Sequence, residues 1–297
     1  VQKKVVIEEF NQRYLNQPYG DSMLLLRPLA YTTHHYRWPT IGISVSHIDS
    51  IELDHVKDFF YRYYTPENAI LTITGNISPD RAYTLANKWF GPIEHRKTGS
   101  QAIPPEPIQK EARTLSVEKE VPIDALYKTW HICGRGENDF FTLDLLTDLL
   151  AGGESGRLHS KLVRGKNLFS EINAFLSSDI DPGLLILSGR LMKGVSISEA
   201  EQNVNMVIDE LRNASITPEE MEKVKNRFES SLVISNTSIL NKAMNLSYYE
   251  LLGDPGLINL EAERYRAVTR EMVRDAAISY LNDNNCSTLH YLSKNTK

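Results

Sequence analysis

The sequence predicts an α+β protein made of two domains of one kind, the first lacking its beginning. Three observations predict it. Strand-like runs at 114–117, 125–133, 170–177 and 184–191 precede a long helical stretch from 197 to 281, and a strand at 287–292 closes the chain. The proline cluster of the chain, Pro104-Pro105-Glu106-Pro107, follows Gly99-Ser100 and reads as a linker. Finally, the run Val56–Asn68 aligns without gaps against Val273–Asn285, with Val, Asp, Tyr and Asn recurring at matched positions and each run leading into a strand. The expected boundaries are therefore residues 1–98 for the later part of a first domain, 99–112 for the linker and 113–297 for a second domain.

Taken in order, Val1 to about Leu15 lacks proline and glycine and reads as a helix. Pro18-Tyr19-Gly20-Asp21 breaks it, and Ser22–Leu29 resumes helical apolar spacing. An aromatic and histidine-rich loop, Tyr31–Gly42, follows. From Ser50 a helix carries Leu53, Val56, Phe59, Phe60 and Tyr63 on one face. Thr65-Pro66-Glu67-Asn68 turns the chain into an expected strand, Ala69–Thr74. Ser78-Pro79 supplies an N-cap and a first-turn proline for a helix to about Trp89. In the second part, a helix near 140–150 places Phe141, Leu145, Leu146 and Leu149 inward, Gly152-Gly153 ends it, and 157–163 reads as a short helix. Helices near 197–213, 217–234, 237–252 and 269–281 complete the pattern, the second opened by the capping box Thr217-Pro218-Glu219-Glu220.

Composition excludes several classes. The 297 residues are 41% hydrophobic and carry a net charge of −5, which gives no electrostatic reason to expect nucleic acid. The most apolar short run, Leu184–Leu187, is strand-sized and far below a membrane span. The start, Val1-Gln2-Lys3-Lys4, has neither an apolar signal region nor an initiator Met, as expected of a processed chain or an excised piece. A soluble protein follows, with the compartment open between cytoplasm and periplasm. Cys133 and Cys286 are too few for a disulfide framework or a zinc knuckle, and their strand-like surroundings predict buried free thiols.

For metal chemistry, no two histidines stand four apart, so no helix presents two imidazoles to one ion. His34 and His35 are adjacent and fit a structural role in their loop; His47, His55, His95, His131, His159 and His290 are scattered. Gly152–Gly156 lacks the Gly-x-Ser-x-Gly spacing of a nucleophile elbow. By composition alone Glu8-Glu9 is a solvated helix face. From the residues alone no complete active site emerges.

Five ordered stretches, however, resemble the zinc-peptidase family of insulinase, pitrilysin and the mitochondrial processing peptidase. Gln2-Lys3-Lys4-Val5-Val6-Ile7-Glu8-Glu9 is similar to its Glu-Arg-x-Val-Val-x-x-Glu helix, and His35–Gly42 to its His-Pro-Tyr…Gly loop. Phe59–Ala69 resembles its Tyr-x-Pro-x-Asn signature, Gly75-Asn76 to Phe90-Gly91-Pro92 its Gly-Asp/Asn…Phe-Gly segment, and Leu150–Leu158 its Gly-Gly…Ser-Arg-Leu turn. The resemblance implies two homologous α/β-sandwich domains, each an antiparallel sheet packed against helices, the first truncated at its N-terminus.

It also implies zinc, held by a His-x-x-Glu-His motif and a later glutamate, with the motif's Glu acting as general base. On the Val5-Val6 alignment the later ligand is Glu9, and Glu8 points elsewhere. Gln2 replaces the family's second, non-ligating acidic residue. The His-x-x-Glu-His motif is absent from these 297 residues, so they contain no catalytic residue of the family and should not hydrolyse peptides by themselves. The Arg and Tyr, seven apart, that many members use to hold substrate fall on Val163 and Ser170; Arg164 is one residue away and has Glu171 seven later. The resemblance thus implies the zinc-bearing portion of a metalloendopeptidase acting on peptides, paired as a homo- or heterodimer with a member carrying the Arg/Tyr pair. The alternatives are a non-catalytic partner or structural subunit of the same family, and an unrelated binding module. The aromatic loop Tyr31–Trp38 fits either substrate contact or packing.

Overall fold

The computed structural model describes residues 2–96, 102–213 and 216–294; residues 99–101 of the expected linker lie outside them. Gln2–Phe10 forms α1, which passes directly into a π-helical turn over Asn11–Leu15, closed by Asn16 N–H on the Asn11 carbonyl at 2.8 Å. The single expected helix therefore changes register just after its carboxylates. Helices α2 (Ser22–Ala30), α3 (Val45–Asp49), α4 (Leu53–Tyr63) and α5 (Pro79–Phe90) follow. The Ser78 hydroxyl accepts from Arg81 N–H at 3.3 Å at the start of α5, as its N-cap spacing predicts. The short α3 was not expected.

The expected strand at 69–74 does not form among the described residues. Ala69 takes extended dihedrals, φ −125° and ψ 138°, yet no neighbouring strand exchanges backbone hydrogen bonds with 69–74. A strand is defined by that exchange, so β-propensity alone does not make one.

A five-stranded sheet is formed by β1 (Arg113–Lys119), β2 (Ala125–His131), β3 (Phe169–Leu176), β4 (Leu184–Leu191) and β5 (Cys286–Ser293), in the order β1-β5-β2-β4-β3. Its neighbours are antiparallel except β1 and β5, which run parallel. Between β3 and β4, Gly189 lies under Phe169: a Cβ there would come within 2.6 Å of the ring. The remaining helices are α6 (Asp139–Ala151), α7 (Ile197–Asn213), α8 (Pro218–Ser235), α9 (Ile239–Leu251), α10 (Glu261–Ala267) and α11 (Arg270–Tyr280). The Thr217 hydroxyl and Glu220 carboxylate satisfy each other's N–H groups at 3.1 and 3.0 Å, completing the capping box. Residues 157–163, expected as a short helix, continue into a π-helix over His159–Gly165. The short α10 was not anticipated.

By their packing the described residues divide into two units, those that fall within 1–49, 103–226 and 265–297 and those that fall within 50–102 and 227–264. This grouping cuts across the expected boundary at 99–112, and α2 explains why. Its Leu26 and Ala30, with Tyr19 and Tyr31, are buried in one core with Ala125 and Tyr127 of β2, Ile186 of β4, and Leu289 and Tyr291 of β5. The apolar face of a first-part helix is thus used on the second-part sheet. Lys128 of β2 emerges on the other face, where it meets Glu201 of α7 at 2.7 Å, and the inward residues expected of α6 are all buried.

Helix α4, by contrast, forms with the predicted amphipathic spacing and leaves its apolar face bare. Leu53, Val56, Phe59 and Phe60 are all exposed by half or more. Cys133 and Cys286 are buried free thiols, as expected, and burial pushes the Cys133 thiol up to about 12. Among the described residues no helix is long and apolar enough to cross a membrane.

Candidate functional site: the Glu9 helix and its surroundings

Glu9 lies on the last turn of α1 before the π-helix, with its side chain 43% exposed and one carboxylate oxygen 2.8 Å from Arg13 Nη2. The i,i+4 spacing that makes this pair was readable in the sequence and was missed. Glu8 is turned to a different partner, accepting from Gln12 Nε2 at 3.3 Å. The two carboxylates therefore diverge, as expected of neighbours on a helix. Both still border an open groove of about 750 Å³ with Lys4, Val5 and Gln12. Two anchors fix the helix: Phe10 is buried with its ring 5.0 Å from Tyr14, and Lys3 Nζ donates to the Asp49 carbonyl at 2.7 Å, tying α1 to α3. Gln2, in place of the family's acidic residue, is exposed.

One carboxylate is not a zinc site. Zinc takes three or four protein ligands within little more than 2 Å. Among the described residues no three His, Cys, Asp or Glu side chains come together to hold a metal. The residues present do not fit a complete zinc centre; they offer one oxygen donor on a rigid element, held meanwhile by Arg13.

The aromatic loop has a structural account. His34 is buried; its Nδ1 accepts from Tyr36 N–H at 3.1 Å and its Nε2 lies 3.3 Å from Asp181. Tyr31 is buried and donates to the Pro182 carbonyl at 3.1 Å, while the Tyr36 hydroxyl accepts from Asp181 N–H at 3.3 Å. Glu106 closes the arrangement from beneath, accepting from the N–H groups of Thr32, Thr33 and His34 at 2.7–2.8 Å and from the Thr32 hydroxyl. Burial opposes ionisation of Glu106, but these donors outweigh it and hold its carboxyl down to about 2. His35 stacks on Trp38 with ring centroids 5.3 Å apart, and its ring lies tilted 6.5 Å from that of His34.

The Gly152–Leu158 turn is likewise built for packing. Gly153 takes φ +70°, and Arg157 forms a bidentate pair with Glu220 at 2.8–2.9 Å, joining the turn to the capping box of α8. The Ser155 hydroxyl accepts from Lys223 at 3.0 Å. At the positions where family members carry the Arg/Tyr pair, Val163 is half-buried and Ser170 donates to the Arg190 carbonyl at 3.1 Å. Nearby, Arg164 pairs with Glu154 and Glu171 with Arg190.

The internal repeat extends beyond the matching run. At the offset that aligns Val56 with Val273, α4 coincides residue for residue with α11, and the 3₁₀ turn Pro66–Asn68 with Asp283–Asn285. Asn68 Nδ2 donates to the Tyr63 carbonyl at 3.0 Å, and its counterpart Asn285 to that of Tyr280 at 2.8 Å. The same offset sets α1 on α8, α2 on α9 and α3 on α10. Glu9 then corresponds to Asn226, a neutral amide whose Oδ1 accepts from Arg266 at 3.1 Å. Only the first copy keeps a carboxylate at this position.

The sequence matches the family described as "Peptidase M16 inactive domain" over residues 50–228, more than half of the chain. It is 26% identical over 294 residues to a Helicobacter pylori protein named "Zinc protease PqqE", covering 97% of this chain and 65% of that protein. It is 27% identical over 252 residues to a Bacillus subtilis protein named "Uncharacterized zinc protease YmxG", covering 84% of this chain and 60% of the other. The chain therefore spans 60–65% of the length of these relatives. In fold it is similar to a crystal structure of a protease from Helicobacter pylori, with a TM-score of 0.91 at 24% identity over 98% of this chain and 71% of that one. It is also similar to a peptidase M16 inactive domain from Pseudomonas fluorescens, with a TM-score of 0.83 at 19% identity over 98% and 69% of the two chains.

Proposed function

Since the chain belongs to the M16 peptidase family, we propose that it is a portion of a zinc-dependent metalloendopeptidase in which Glu9 is one metal ligand. The observation that carries this reading is the asymmetry of the repeat. Glu9 stands on an ordered helix, partly open to a groove, while its counterpart is Asn226. A duplicated element that keeps a carboxylate in one copy and an amide in the other fits one metal-binding and one structural copy. The remaining ligands and the general base lie outside these residues. In this reading, residues 113–297 supply a peptidase-like half without catalytic groups, and peptide is held together with a partner of the same family that carries the Arg/Tyr pair.

A second reading, a non-catalytic partner or structural subunit, is favoured by Val163 and Ser170 standing where that pair would be and by the inactive-domain description of the matched family. The full-length protein separates the two. Metal content and peptide cleavage are measured for wild type and Glu9→Gln, with and without chelator, alone and with a candidate partner. One bound zinc that is lost with Glu9→Gln, together with chelator-sensitive cleavage, supports the peptidase. Zinc content unaffected by Glu9→Gln, or cleavage that survives chelation, overturns it.

A further inference from the structure

A line of polar side chains crosses one face of the sheet and ends at the surface. Ser116 of β1 is in register with His290 of β5, and Lys128 of β2 with Thr288, two residues before that histidine and on the same face. Glu201 of α7 meets this line with both carboxylate oxygens. Its Oε1 accepts from Lys128 Nζ at 2.7 Å, and its Oε2 lies 2.8 Å from His290 Nε2. The other imidazole nitrogen, Nδ1, is 3.4 Å from Ser116 Oγ. A ring nitrogen that faces a carboxylate carries the proton, so Nδ1 presents its lone pair to the serine hydroxyl. The bond from His290, helped by Lys128 and opposed by burial, holds the Glu201 carboxyl down to about 2. Exposure rises along the line: the Lys128 side chain is 5% exposed, that of His290 17%, and Ser116 is open to solvent.

An ion pair that pins α7 to the sheet requires only Lys128 and Glu201, since each neutralises the other. His290 and Ser116 add nothing to that balance. The strand does not demand polar residues there either, because at the repeat offset Thr288 and His290 correspond to Leu71 and Ile73. The arrangement is that of an activated nucleophile: a hydroxyl within reach of a base, and a base oriented by a third group. The 3.4 Å reach is at the long end, as such contacts often are before substrate binds. β1 adds a further part. It is an edge strand with β5 as its neighbour, so alternate N–H groups along it point to the open edge. One of the Ser116 and Val117 N–H groups therefore lies on that edge beside Oγ, a donor for the negative charge that develops on an acyl oxygen.

We propose that Ser116, His290 and Glu201 form a serine nucleophile site that cleaves small, unhindered acyl esters. Substrate size follows from place, because a short acyl group reaches an exposed strand edge without any part of the core opening. In the first step the bond from Ser116 Oγ to the acyl carbon forms and the ester C–O bond breaks. The hydroxyl proton passes through His290 Nδ1 to the leaving alcohol. Water then attacks the acyl-serine and gives a proton to His290, which returns it to Oγ as the carboxylic acid departs. Glu201 stays ionised throughout and is a positioning residue. This chemistry is additional to the peptidase's, whose catalytic groups lie outside these residues.

The test is labelling of the full-length protein with an alkyl fluorophosphonate in the presence of chelator, with the labelled residue located by mass spectrometry. Hydrolysis of p-nitrophenyl acetate is measured alongside. The probe bonds its phosphorus to Oγ, fluoride leaves, and His290 takes the proton. Label is expected on Ser116 and absent there in Ser116→Ala, and His290→Gln should slow labelling about 100-fold. Glu201→Gln should slow it about 10-fold, while Lys128→Met, which breaks the other half of the ion pair, should leave it within about threefold. Thermal midpoints check that the variants fold, and the wild-type result decides even where one does not. Absence of label from Ser116 in the wild type overturns the proposal. So does labelling unchanged in His290→Gln, or an equal loss in Glu201→Gln and Lys128→Met, which would make the cluster a structural pin.

Discussion

The side-chain amide of Asn285 donates to the carbonyl oxygen of Tyr280 at 2.8 Å, closing the last turn of α11 before the chain enters β5. Its other hydrogen reaches the His131 carbonyl at 2.8 Å. Asn285→Ala leaves both half-buried acceptors unmatched and should cost about 1–3 kcal/mol in denaturant unfolding. Asn68→Ala removes a single bond at an exposed position and should cost less than about 1 kcal/mol. Equal losses would mean that the His131 bond contributes nothing.

Glu106 makes the loop at 32–34 sensitive to acid. Its folded carboxyl is held at about 2, below its ordinary 4.5. A depressed carboxylate gives stability that is present above its unfolded value and lost as pH falls through the folded one. Wild type should therefore lose stability between pH 5 and about pH 2 more steeply than Glu106→Gln. Parallel unfolding curves for the two across that range would refute the assignment.

Asp144 behaves in the opposite sense. It is half-buried on α6 and accepts from the Tyr265 hydroxyl at 2.5 Å; desolvation raises its pKa despite that bond. A raised carboxyl penalises the folded state as pH climbs through its folded value. Asp144→Asn keeps an acceptor for Tyr265 and removes the charge. The variant should gain on wild type as pH rises from 4 to 8, measured as the difference in thermal midpoint, and the difference should vanish in acid.

Leu26 tests the core that α2 forms with the sheet. It is fully buried, so Leu26→Ala should cost about 2–5 kcal/mol. The loss should appear in the fluorescence of Trp130 on β2 as well as in helix content. A substitution felt only in helix content would argue against a shared core.

Much of this architecture was legible from the sequence for local reasons. Ser78-Pro79 and Thr217–Glu220 announce helix starts because their side chains reach only three residues. β4 and α7 were readable to the residue, the first from the short apolar run Leu184–Leu187 that opens it and the second from its regular amphipathic spacing. What escaped was non-local. Ala69–Thr74 has strand composition, but composition cannot supply the neighbour that makes a strand. That α2 would join the sheet depends on contacts about a hundred residues or more away, such as Tyr31 to Pro182. The Glu106 clamp hid inside a proline run that read as linker. Of the candidate site, Glu9 is singled out by resemblance alone; its pairing with Arg13, and Asn226 as its counterpart, needed the fold.

The proline run also acquires a different meaning. Pro104–Pro107 invites a protein engineer to cut there and expect two self-sufficient pieces. Yet Tyr19, Leu26 and Tyr31 on one side of that cut interleave with Tyr127, Ile186 and Leu289 on the other. Each piece would expose half of a torn interior, and the halves would be obligate companions.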